Sequence, residues 1–283
     1  MPDPSSPPPA PEAFVVLLPD RLVDPAKRPA LAAMAGFMAA SRAIADDPKM
    51  PSHLKAAHLG ALDGALTTDE GYVALPKGVP PTIMAPGFTL RRESDRRKIP
   101  VVYGRRVIQA YKQDIVKKGY RDWSELLSYL RFSAGSSAQY AVDALGLDRA
   151  LYPPVEALAC AHALLSRMAT VRDDAARTQR VYLPLRWLSD SGIDTEELTL
   201  DGNGAAWLKV RDQGIAQARQ LLKQAASGLK AIGDWRARLA FAWAKADIEG
   251  RCDALARAPA LFDVAMPKPS IMRQIVACAR AAL

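Results

Sequence analysis

Three histidines, three cysteines and one dense run of arginines are the first places to look for chemistry in this 283-residue chain. His53 and His58 stand five apart, which misses the i, i+4 spacing that puts two imidazoles on one helix face, and His162 is far from both. The three histidines therefore read as ordinary surface or core residues. Cys160, Cys252 and Cys278 are too widely spaced for a disulfide framework or a structural zinc site. The arginine run is denser: Arg91, Arg92, Arg96, Arg97, Lys98, Arg105 and Arg106 share one short stretch, within a chain of net charge +8. Such a balance favours anionic partners, namely diphosphates, acidic lipids or nucleic acid. No nucleic-acid-binding motif accompanies the charge, so nucleic acid is the partner class it excludes. The stretch reads either as a solvated linker and helix start or as a patch facing a membrane surface or a diphosphate.

The elements that must position any site are helical almost throughout. Residues 1–13 are rich in Pro and Ser and are expected to be a disordered tail without the charged start and apolar stretch of a signal peptide. Residues 14–283 are expected to form a single domain. Ala26 to Asp46 is rich in Ala, Met and Leu, and Pro48 and Pro51 close it. Ser52 reads as the N-cap of a helix to Thr67. Residues 71–100 carry many Pro and Gly residues and read as a loop with one short helix at most. Further helices are expected over Val102 to Lys118, from a cap at Asp122 through Leu145 with Gly146 as its stop, from Pro153 to Arg177, over Ala205 to Lys230 and Asp234 to Arg257, and from Pro269 onward. Strand-like alternation is almost absent. The pattern predicts an all-α bundle larger than four helices. No apolar run reaches the roughly 18 residues of a membrane span. The expected location is the cytoplasm, with peripheral contact at the inner membrane.

Three stretches then point one way. The first is Phe37-Met38-Ala39-Ala40-Ser41-Arg42-Ala43-Ile44-Ala45-Asp46-Asp47-Pro48. The second is Ala110-Tyr111-Lys112-Gln113-Asp114, continued by Tyr120-Arg121-Asp122-Trp123-Ser124-Glu125-Leu126-Leu127-Ser128-Tyr129 and Arg131-Phe132-Ser133-Ala134. The third is Arg172-Asp173-Asp174, followed by Arg180-Val181-Tyr182-Leu183-Pro184. In this order they resemble the squalene/phytoene synthase family, and are most similar to its bacterial hydroxysqualene synthase branch, over roughly residues 14–200. The resemblance implies an isoprenoid synthase-type helical bundle around a central cavity. It implies a protein of isoprenoid (hopanoid or squalene) metabolism that handles a prenyl diphosphate such as presqualene or farnesyl diphosphate. The implied cofactor is Mg²⁺ if the protein is active, and none otherwise.

The same resemblance assigns roles. Asp46, Asp47, Asp173 and Asp174 fall at metal positions. Arg42, Arg177 and Arg180 face the diphosphate, and Asp114, Tyr129 and Tyr182 fall at catalytic positions. Diphosphate leaves readily only when its charge is neutralised, and aspartates at i and i+4 put two carboxylates on one helix face to hold Mg²⁺ for that purpose. This chain departs from the pattern where it matters most. The leading aspartates of the first acidic stretch fall on Arg42 and Ala43, and that of the second on Thr170, so each carboxylate pair is halved. Two readings of Arg42 follow. It binds diphosphate in place of a metal, or it pairs with Asp46 and the site is inactive.

Asp122 reads first as a helix cap and Trp123 as packing. Asp114 reads equally as a solvated charge, and Tyr129 and Tyr182 as buried hydroxyls with partners. The expected partners are a prenyl diphosphate or other long apolar ligand, a membrane surface and a partner synthase. The alternative function is a non-catalytic homologue acting as an assembly factor or partner subunit.

Overall fold

The computed structural model describes residues 13–68, 75, 77–195, 204–258 and 270–282. The expected tail therefore lies outside the described residues except for Ala13. That residue is fully buried, so the packed chain begins one position earlier than its composition suggests.

Among the described residues the architecture is all-α apart from one two-stranded ladder. Helices α1 (Arg28–Asp46), α2 (Ser52–Thr67), α3 (Ala85–Arg97) and α4 (Val102–Val116) pack against one another. Strand β1 (Gly119–Tyr120) leads into α5 (Trp123–Leu130), and α6 (Ser136–Ala144) leads into the long α7 (Tyr152–Thr178). Strand β2 (Val181–Pro184) pairs parallel with β1 and runs into α8 (Leu185–Ser189). Helices α9 (Ala205–Leu229), α10 (Trp235–Arg257) and α11 (Ile271–Ala282) complete the described chain. None of the described helices is long and apolar enough to cross a membrane.

Local chemistry accounts for most boundaries. Helices α1 and α7 carry proline in their first turn, where the missing N–H has no partner to lose. Helix α7 stops at Gln179, whose φ of 54° is left-handed. The Asp122 carboxylate accepts from Glu125 N at 3.0 Å, the cap expected from the sequence. Trp123 stacks on Trp187 at 5.9 Å.

Four details differ from expectation. Ser52 is already helical, and Pro51 holds the N-cap position without a side-chain bond. Residues 71–100 contain the full thirteen-residue α3. The expected helix from Asp122 to Leu145 is interrupted by a π turn at Arg131–Gly135, a feature often found beside functional sites. The β1–β2 ladder is also new. It is short, but it holds Tyr182 against Tyr120, with ring centroids 6.0 Å apart.

The core is continuous through α1, α4, α6, α7, α9 and α10. Glycines set the approach of α9 to α7. A Cβ on Gly228 would lie 2.4 Å from Pro154 Cγ, whereas Gly36, exposed in α1, has open space around it. Gly228→Ala is expected to destabilise by about 1–3 kcal/mol, since the proline ring cannot yield. Gly36→Ala is expected to stabilise by about 0.5–1 kcal/mol. Urea denaturation of both variants checks the pair, and equal effects would contradict the packing of α9 on α7.

Candidate functional site

The end of α1, the end of α4, α5, the middle of α7 and the two short strands converge on one buried cluster. Asp46 is its hub. Arg42, one turn earlier on α1, donates from Nε to Asp46 Oδ2 at 2.9 Å, and Arg180 donates from Nη1 to Asp46 Oδ1 at 2.6 Å. Arg180 also donates to the Ala45 carbonyl at 2.6 Å, and Lys55 of α2 reaches the same carbonyl at 2.9 Å. On α7, Asp174 Oδ2 accepts from Arg167 Nη1 at 3.2 Å and from Thr170 Oγ1 at 2.8 Å. The Arg42 guanidinium bridges the two helices, its Nη2 lying 3.7 Å from Asp174 Oδ1.

A second layer is phenolic. Asp114 accepts from Tyr129 at 2.7 Å and from Tyr120 at 3.2 Å. Arg167 donates to the Tyr129 oxygen at 3.2 Å, and Arg180 to the Tyr182 oxygen at 3.2 Å. The three rings pack with centroids 5.0–6.0 Å apart, and the Arg167 guanidinium lies 3.5 Å above the Tyr182 ring. Arg42, Asp46, Asp114, Arg167, Asp174 and Arg180 are all buried, each at most 7% exposed. Charges at that depth persist only when paired and hydrogen-bonded.

The electrostatics divide the carboxylates. Burial pushes the Asp46 carboxyl up, but Arg42, Arg167 and Arg180 outweigh it and hold the group below its ordinary value. Burial pushes Asp114 up, and the more distant arginines do not reverse it. Burial likewise drives the Tyr129 and Tyr182 hydroxyls well above their usual range, so both are neutral; Tyr129 donates to Asp114, and Tyr182 accepts from Arg180. Lys55 is lowered by burial and by Arg180.

Among the residues singled out from the sequence, Arg42, Asp46, Asp114, Tyr129, Asp174, Arg180 and Tyr182 meet in this cluster. Asp47, Asp173 and Arg177 do not. Asp47 is half-buried and accepts from Lys49 N at 2.8 Å, Asp173 is exposed, and Arg177 is half-buried in the last turn of α7. On α7 the turn of about 100° per residue points Asp173 away when Asp174 faces inward, whereas Asp47 lies just past the end of α1 in extended backbone. Asp122 and Trp123 lie outside the cluster. Arg167, Tyr120 and Lys55 were missed. Arg167 had a readable signal, since it stands seven residues before Asp174 and therefore on the same face of α7. Burial holds His162 neutral, lowered to about 3, and raises Cys252 to about 11, which leaves both inert.

Magnesium does not fit this arrangement. It requires several oxygen ligands in near-octahedral geometry. Both oxygens of Asp46 and of Asp174 already face guanidinium groups. The leading ligand positions carry a cation, Arg42, and a neutral hydroxyl, Thr170. Among the described residues, no three or more His, Cys, Asp or Glu side chains converge as metal ligands would.

Comparison with known proteins follows the same line. A family model described as Squalene/phytoene synthase matches residues 18–273. A hydroxysqualene synthase of Sinorhizobium fredii is 26% identical over 77% of this chain and 70% of its own length. One from Rhodopseudomonas palustris is 26% identical over 69% of this chain, which spans only 63% of that relative. Among solved structures, squalene synthase HpnC of Alicyclobacillus acidocaldarius superposes with a TM-score of 0.67 at 18% identity, covering 87% of each chain. A dehydrosqualene synthase solved in complex with ligand gives 0.69 at 20% identity, over 95% of this chain and 88% of its own. These two establish the isoprenoid synthase-type helical fold.

Proposed function

The chain belongs to the squalene/phytoene synthase family, and we propose that it is a member in which metal-dependent ionisation of a prenyl diphosphate has been replaced by a self-neutralised arginine–aspartate core. It then acts in isoprenoid metabolism as a non-catalytic homologue, alongside active synthases of the kind its hydroxysqualene synthase relatives are named for. The observation that carries this reading is the double occupation of Asp46 by Arg42 at 2.9 Å and Arg180 at 2.6 Å. A carboxylate whose two oxygens are each held by a guanidinium group has its charge neutralised and a cation at either side, which makes it a poor ligand for a divalent metal.

A second reading rests on the charge balance. Four cations, Arg42, Lys55, Arg167 and Arg180, meet three carboxylates, of which Asp114 is pushed toward its neutral form. That excess of positive charge suits a diphosphate bound directly on guanidinium groups without metal.

One set of measurements separates the two. Purified protein is incubated with farnesyl diphosphate and with presqualene diphosphate, with and without Mg²⁺, and extracts are assayed for hydrocarbon. No Mg²⁺-dependent product is expected from well-folded protein. Product that disappears in Asp46→Ala or Asp174→Ala would overturn the proposal. Calorimetric titration with farnesyl diphosphate in EDTA tests the second reading: saturable heat abolished by Arg180→Gln supports it, and its absence leaves the non-catalytic reading.

A further inference from the structure

Helix α11 has two faces of different character. Gln274 is buried, Cys278 is half-buried, and Cys278 Sγ donates to the Leu239 carbonyl of α10 at 3.6 Å. The opposite face carries Ile271, Met272, Ile275 and Val276, which are 67%, 70%, 52% and 41% exposed. At about 100° per residue these four, with exposed Ala279, form one continuous stripe. Nine large apolar side chains are exposed among the described residues, and four of them lie on this one twelve-residue helix. Apolar exposure scattered singly needs no explanation, but a contiguous stripe marks an interaction surface.

One edge of the stripe is cationic. Arg273 and Arg280 follow each other at i and i+7, on the flank between the exposed and buried faces. Beside that flank, α9, α10 and α11 enclose an open groove of about 460 Å³. Its basic residues are Arg219, Lys223, Lys245 and Arg273, and its acidic ones are Glu249 and Asp253, so the groove has more cations than carboxylates. Arg219 and Arg273 share Asp253 at 3.2 and 2.8 Å, Lys245 pairs with Glu249, and Lys223 is exposed. Helix α11 runs back along α10 toward the end that carries Trp235, itself 58% exposed. An apolar helical stripe bordered by cations, near an exposed tryptophan, matches the chemistry of a bilayer interface.

We propose that the exposed face of α11 and the adjoining basic groove form a docking surface for a membrane containing anionic lipids. Ile271, Met272, Ile275 and Val276 enter the boundary between headgroups and acyl chains, and the groove receives lipid phosphate. A second copy of this chain is a poorer occupant, because an antiparallel two-fold contact on this face would bring the cationic edges together. The net charge of +8 draws the molecule to the same kind of surface.

The test is co-sedimentation of the full chain with vesicles of phosphatidylcholine alone and of phosphatidylcholine with phosphatidylglycerol. Binding is expected only to the anionic vesicles and should weaken as salt rises. The double variant Met272→Asp, Ile275→Asp should bind at least tenfold more weakly, with circular dichroism and melting unchanged because both side chains are solvent-exposed. Lys223→Glu, remote from the helix packing, should lower binding several-fold and guards against a folding defect in the double variant. Equal binding to both vesicle types, no binding at all, or undiminished binding by the variants would overturn the proposal. So would light scattering that shows a dimer dissociated by Met272→Asp, Ile275→Asp, which would assign the face to a second copy.

Discussion

Asp46→Ala is expected to lower stability by about 3–5 kcal/mol, the usual cost of breaking a buried ion pair from one side. The reason lies in what it leaves behind. Arg42 and Arg180 are 3% and 4% exposed, and both lose their principal carboxylate partner in this variant. Asp173→Ala, one residue from Asp174 but exposed, is expected to change stability by no more than about 0.5 kcal/mol. Arg42→Met combined with Asp46→Ala should cost less than the sum of the single changes, because the two groups share one interaction. Urea titrations of the natural sequence, the single variants Asp46→Ala, Asp173→Ala and Arg42→Met, and the double variant check the set. A small effect from Asp46→Ala would mean that solvent reaches the cluster.

The pH dependence follows from the same cluster, and its two buried carboxylates have opposite signs. The folded value of Asp46 is depressed, so its contribution is present above the unfolded value of about 3.9 and is lost as pH falls through the folded value. The folded value of Asp114 is raised, so its contribution is full below about 3.9 and is lost as pH rises through the folded value. Asp114→Asn should therefore flatten the fall in stability between about 3.9 and that folded value, while Asp46→Asn removes the acid-side dependence.

The helices were legible where local chemistry acts alone. The Ala- and Leu-rich run of α1, the paired prolines opening α7 and the Asp122 cap carry their own signals. Helix α3 was not legible, because Pro86 and Gly87 look like breakers. Pro86 sits in the first turn, where it costs nothing, and Gly87 is there for contact, since a Cβ on it would meet Ala65 Cβ at 2.7 Å. The π turn at Arg131–Gly135 depends on one backbone bond being shifted by a residue, which composition does not encode. The β1–β2 ladder joins residues some sixty positions apart, and such pairing is set by the surrounding packing. Within the site, the motif order located α1, α4, α7 and β2 together with Arg42 and Arg180, but Arg167 lies outside the matched stretches. Only its place seven residues before Asp174 marked Arg167, the most deeply buried arginine among the described residues, and its pairing with Asp174 and Tyr129 emerges in three dimensions.

The sharpest consequence concerns the positions that carry Arg42 and Thr170. Arg42→Asp together with Thr170→Asp would put a carboxylate one turn before Asp46 and another one turn before Asp174. Without metal this variant is expected to be several kcal/mol less stable than the natural sequence, as it removes a buried cation and crowds four carboxylates. Divalent metal should then bind the folded state, and at one hundred times its dissociation constant it would restore about 2.7 kcal/mol. For a chain of this size that corresponds to a rise in melting temperature on the order of 5 °C. The natural sequence, whose aspartates are already paired with Arg42, Arg167 and Arg180, should show no rise beyond that given by an equal ionic strength of NaCl. Melting curves of both proteins across a Mg²⁺ titration decide the matter without reference to turnover. A specific Mg²⁺ response in the natural sequence would show that the guanidinium groups yield to metal, and the non-catalytic reading would fall with that result. A response confined to the double variant would show that two side chains determine whether this fold holds metal or arginine between its acidic helices.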